Sequence, residues 1–202
     1  MAGEKERRLV VGVAVLAEGG IGLFALALGT WLGQPRPESF RWDAGDAALG
    51  AAACVPMLLL FLLILWAPVG PLKGLKQVAV DFIKPLFAPC TLFDLAVISL
   101  LAGVGEELLF RGVLQGALCE GLEPWAGVLT AGLVFGALHL ITWTYGLFAT
   151  LIGVYLGWLW ALNGNLLVVM IAHGLYDWVA LVVLVRGGSR LTPFTKKKSG
   201  PR

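Results

Sequence analysis

Charge is what this chain has least of. Asp, Glu, Lys and Arg make up 14% of its 202 residues, where a soluble domain carries roughly a quarter. That leaves too little polar material to cover a water-facing surface and excludes an ordinary soluble fold. Cysteine is scarce as well. Cys54, Cys90 and Cys119 are far apart and odd in number, with no CxxC pair. A disulfide framework and a cysteine zinc site are therefore not indicated, and the three read as buried small hydrophobes. Histidine occurs twice only. No internal repeat is evident, which argues against transporter folds built from duplicated halves.

What the chain does have is apolar sequence: 58% hydrophobic residues and a mean hydropathy of +0.85. Several runs approach the roughly 20 residues that a helix needs to cross the hydrocarbon core. Six spans can be drawn, at about 9–33, 46–66, 91–119, 125–143, 146–162 and 166–186. The first is too long for the apolar region of a signal peptide and reads as a spanning helix. Between the second and third spans, Leu75, Val78, Ala79, Phe82 and Ile83 recur at helical spacing with Lys73, Lys76, Asp81 and Lys84 on other faces. This pattern predicts a short interfacial helix with its apolar side toward lipid. The expected fold is all-α, a polytopic membrane helix bundle of about six transmembrane helices plus that interfacial helix. Within one domain, 1–90 supply N-terminal spans and the amphipathic segment, 91–186 the core, and 187–202 a basic cytoplasmic tail expected to be disordered.

With six spans both termini share a face, and that face receives twelve of the fifteen Lys and Arg residues. The opposite face receives Arg36 and Arg41, and Arg111 lies inside a span. The bias predicts cytoplasmic termini and a plasma (inner) membrane location. Glycine pairs Gly112/Gly116, Gly132/Gly136 and Gly153/Gly157 are spaced for close helix contact.

Ionisable groups inside a bilayer are costly and each needs a reason. Span three holds Glu106, Glu107 and Arg111 in GEELLFRG, span four His139 in FGALH, and span six His173 and Asp177 in HGLYD. Glu107 and Arg111 are i, i+4 and can pair. Glu106, about 100° round the helix, is left without that counter-charge, one of the settings that suits a carboxylate to be a general base. Asp177, i, i+4 from His173, can orient that imidazole, and Phe135 can pack on the His139 ring. Glu18 and Asp94 have no sequence partner and read as structural. Straight spans put His139, His173 and Glu106 at different depths, so convergence demands tilted or broken helices, or span boundaries shifted by a turn.

The ordered set EELLFR, FGALH and HGLYD resembles the three motifs of the CAAX protease and bacteriocin-processing family, type II CAAX prenyl endopeptidase-like, over about 91–186. The resemblance implies an intramembrane endopeptidase. Glu106 and His139 would activate water, supported by Glu107 and Arg111, while His173 stabilises the oxyanion with the residue four positions on. That residue is Asp177 where the family pattern often has asparagine, which points to Asp177 orienting His173 or being protonated itself. No cofactor is favoured, although His139, His173 and Glu106 would also make a zinc set with a glutamate as base. The implied partners are a peptide or protein substrate, membrane-anchored or not, and the lipid bilayer; nothing suggests nucleic acid. Two other readings stay open: a non-catalytic membrane partner or immunity-type protein, and an ion or proton transporter using the Glu–His cluster.

Overall fold

The computed structural model describes residues 2–187, and the expected basic tail lies outside the described residues. Seven helices account for nearly all of them: α1 (Ala2–Leu32), α2 (Ala44–Trp66), α3 (Leu72–Phe87), α4 (Leu92–Gly121), α5 (Pro124–Leu138), α6 (Trp143–Asn163) and α7 (Leu166–Arg186). By length and hydropathy α1, α2, α6 and α7 can each cross a bilayer alone. α3 and α4 qualify together, although the chain bends by 116° between them, and α5 is a shorter apolar helix of 15 residues. The all-α membrane bundle anticipated from hydropathy is what the chain forms.

Local chemistry sets the helix ends. Asp43 caps α2 by accepting from the Asp46 amide, and Thr91 and Asp94 form a reciprocal capping box at the start of α4. Asp94 also takes a two-pronged hydrogen bond from Arg7 at 2.6 and 2.9 Å, tying α1 to α4, so its role is structural. Gly164 ends α6 with φ +72°, the left-handed cap conformation that a side chain would oppose. Asn165 then caps α7 through the Leu167 amide. Its amide also donates to the Arg41 carbonyl and to Asp46, which fixes the start of α7 against the start of α2.

In the bundle α7 lies between α2 and α4, α1 packs along the outside of α4, and α5 and α6 form a hairpin. Small residues allow the close approaches. A side chain at Gly103 would meet the Gly174 backbone of α7, and one at Gly132 would meet Val154 of α6.

Two details depart from the sequence reading. The amphipathic helix does not turn its apolar side to lipid: Leu75, Val78, Ala79 and Val80 are buried, and only Phe82 of the apolar set is well exposed. The sharp bend before α4 folds α3 back onto the bundle, where protein offers the same apolar surroundings as lipid and adds close packing. The fourth span is also shorter than drawn. It ends at Leu138, with His139 in a non-helical conformation, because Thr142 already caps the next helix.

Candidate functional site

The early end of α5 removes the depth problem, since His139 sits at a helix terminus rather than within a span. Three helices then bring the motif residues together. Glu106 Oε1 lies 3.8 Å from His139 Nε2, and its Oε2 lies 4.0 Å from His173 Nε2. Both separations are too long for direct hydrogen bonds and suit a shared water molecule. Glu106 is 7% exposed and its Oε2 has no hydrogen-bond partner.

Glu107, one residue on, shares a buried Oε2 with no partner but is bonded through its other oxygen. It is fully buried, and its Oε1 accepts from Arg111 Nη1 at 2.9 Å and from His173 Nδ1 at 2.7 Å. Arg111 uses its other nitrogen to donate to the Gly153 carbonyl of α6 at 2.7 Å. Gln115, one more turn along α4, repeats the contact by donating to the Gly157 carbonyl at 3.0 Å. The stripe Glu107–Arg111–Gln115 thus matches the glycine pair 153/157 rung for rung. Local winding changes here as well: Leu108–Gln115 forms wide turns with i→i+5 bonds, a feature frequent at functional sites.

Phe135 is the common neighbour. Its ring stacks on His139 at 4.3 Å and meets His173 edge-on at 6.1 Å. The Arg111 guanidinium lies over its face at 4.9 Å from the ring centre, a cation–π distance.

These contacts assign the histidine tautomers. His139 Nδ1 is 2.8 Å from the Phe135 carbonyl, which can only accept, so Nδ1 carries the proton. His173 Nδ1 donates in the same way to Glu107. Each ring therefore turns Nε2 toward Glu106. Asp177, expected to orient His173, does meet its ring: Oδ2 stands 3.4 Å from Nε2, while Glu107 accepts from Nδ1. The facing helix thus meets the nitrogen next to Cγ, and the residue four positions on in the same helix stands by the distal one.

The site opens into a cavity of about 450 Å³. Glu18, Glu106, His139, Tyr145, His173 and Asp177, with Ser99 and Tyr176, supply its polar lining, and Leu75, Ala79, Ile83 and Phe87 of α3 close one apolar side. Glu18, read from sequence as structural, lines the cavity from α1. Gln115 drew no notice in the sequence, although its i, i+4 spacing from Arg111 was there to be followed; Tyr145 carried no comparable signal.

Two imidazole nitrogens and a carboxylate are donors that zinc accepts, and both Nδ1 atoms are tied in the manner of metal-bound histidines. Among the described residues, no group of three or more His, Cys, Asp or Glu side chains is arranged to hold a metal.

Fold and site together define a membrane-embedded helix bundle with two histidines facing a buried acid across a cavity. Residues 88–179 match the family described as Type II CAAX prenyl endopeptidase Rce1-like. The chain is also similar to the Bacillus subtilis (strain 168) protein named Uncharacterized protein YpbD, 36% identical over 99 residues. That match covers 48% of this chain and 48% of the relative, so the chain spans about half the length of the curated relative it matches. No solved structure matches the chain significantly.

Proposed function

We propose that the protein is an intramembrane endopeptidase in which Glu106 and His139 activate water against a peptide bond. One observation carries the reading: a buried acid with a free oxygen faces two histidines whose Nε2 atoms both point at it across a gap suited to water. Glu106 takes a proton from the water as its oxygen attacks the carbonyl carbon. His139, held by its Nδ1 bond and stacked on Phe135, accepts from the water at Nε2 and so orients it. His173 in its imidazolium form, sustained by Glu107 on one side and Asp177 on the other, donates from Nε2 to the developing oxyanion. The carbon–nitrogen bond then breaks, and Glu106 passes its proton to the departing amine. Glu107 and Arg111 act as positioning residues, holding His173 and the backbone of α6 in place.

The cation bias of the loops supports cytoplasmic termini in the inner membrane. The substrate under this reading is a peptide or protein at or in the membrane.

The test compares membranes carrying the wild type with membranes carrying Glu106→Gln or His139→Ala at equal abundance. Peptides that accumulate uncut in both variants identify the substrate and support the reading. Near-normal cleavage by both would overturn it in favour of a non-catalytic membrane partner. Intact function coupled to a proton or ion gradient would favour transport.

A further inference from the structure

Glu18 stands on α1, outside the region that carries the family resemblance, and yet it shares the cavity with Glu106, His139, His173 and Asp177. Its place follows from a backbone contact. A side chain at Gly105 would come within 2.7 Å of the Glu18 carbonyl and 3.2 Å of the Gly22 amide. Glycine immediately before Glu106 thus lets α1 lie directly on α4 at the level of the site. Oε2 of Glu18 is buried without a hydrogen-bond partner, as is Oε2 of the nine-tenths buried Glu106.

The charge count of the site does not balance. Glu18, Glu106 and Asp177 line the cavity, and no Lys or Arg among the described residues lines it. Arg111 is engaged by Glu107 and by the Gly153 carbonyl. Counting Glu107 and Arg111 and giving both histidines a positive charge, four carboxylates still face three cations. In low dielectric such an excess is relieved by a proton on one of the carboxylates or by a positive partner. The rest of the lining is mostly apolar, with α3 as one wall.

We infer that the cavity selects a peptide whose apolar segment ends in a lysine or arginine, and that Glu18 is the residue that holds this cationic side chain. The composition is that of a membrane segment at its cytoplasmic boundary, where Lys and Arg accumulate. The inference rests on the reading of this cavity as the peptide-cleaving site.

The experiment uses the full chain in liposomes and apolar peptides in which one lysine is moved along the sequence, each matched by a peptide with uncharged norleucine at that position. Cleavage is read by mass spectrometry. The wild type should prefer the best lysine peptide over its norleucine partner. Glu18→Gln should lower kcat/KM for that lysine peptide by about tenfold, the scale of losing a partly buried charge pair, and leave the norleucine peptide unchanged. Glu18→Asp, which retains the charge, should restore part of the preference. Equal cleavage of the matched peptides, or an undiminished preference in Glu18→Gln, would overturn the inference and leave the endopeptidase reading standing. If no peptide is cut, the endopeptidase reading is what suffers. The same peptides then decide the inference by binding to the detergent-solubilised full chain. Thermal protection by lysine but not norleucine peptides, lost in Glu18→Gln, supports it, and equal protection refutes it.

Discussion

The two flanks of α4 meet very different surroundings. On one flank Glu107, Arg111 and Gln115 are buried, and bonds lead from them to α6 and α7. On the other flank Gly105 and Glu106 face α1 and a cavity. Both glutamates have a buried Oε2 with no partner, and they differ at Oε1: that of Glu107 accepts twice, that of Glu106 stands 3.8 Å from His139 Nε2. A carboxylate whose oxygen already accepts from two donors is a fixture. One that is enclosed but under-bonded can take up and release a proton. Under the proposed mechanism, the contrast separates the group that performs the chemistry from the groups that hold it still.

The largest expected effect lies on the open flank. Glu106→Gln keeps shape and removes the proton acceptor, so cleavage should fall by about 10²–10⁴-fold with normal abundance and an unchanged melting temperature. A variant that lost stability instead would show that both flanks are structural. On the bonded flank, Arg111→Ala strands a buried carboxylate and should cost about 3–5 kcal/mol. Denaturant unfolding in detergent measures it, and adding Glu107→Gln should recover part of the loss. Strict additivity of the two changes would mean that they are uncoupled.

Asp177→Asn lies between the flanks. It keeps a polar neighbour for His173 and drops a charge, so activity should fall between wild type and Glu106→Gln in the same assay. Gln115→Leu should cost only about 1 kcal/mol, the net worth of one buried hydrogen bond, with cleavage per folded molecule unchanged. The smallest expected effect is that of chelation, which should leave cleavage unaltered; a loss that added zinc reverses would turn Glu106 from base into ligand.

Much of this was legible in the sequence, to differing depth. Hydropathy marked the long helices because a bilayer demands uninterrupted apolar runs. The three motifs stood out because ionisable groups are rare there. Partnerships within one helix, such as Glu107–Arg111, follow from its period. Partnerships between helices do not: the Glu107–His173 bond depends on how far α7 slides along α4, and no local pattern encodes that offset. The direction of α3 was unreadable for a related reason, since an apolar face is equally at home against lipid or protein. Glu18 needed both kinds of knowledge. Its oddity was visible, but its destination depended on a glycine contact between α1 and α4. The end of α5 at His139 was missed because neither glycine nor proline follows it, although Thr142 was available as a start signal for the next helix.

The acceptors used by Arg111 and Gln115 are peptide carbonyls, those of Gly153 and Gly157. A carbonyl of the main chain has no codon of its own, so no point substitution in α6 can delete either acceptor. Inheritance can act there only through bulk. A methyl group at position 157 would come within 2.7 Å of the Gln115 amide oxygen, and one at 153 would press on Gly132 and Phe135 at 3.2 Å. At 157 the obstacle is the movable end of Gln115, and at 153 it is the Gly132 backbone and the Phe135 ring. Alanine or serine should therefore cost more at 153 than at 157.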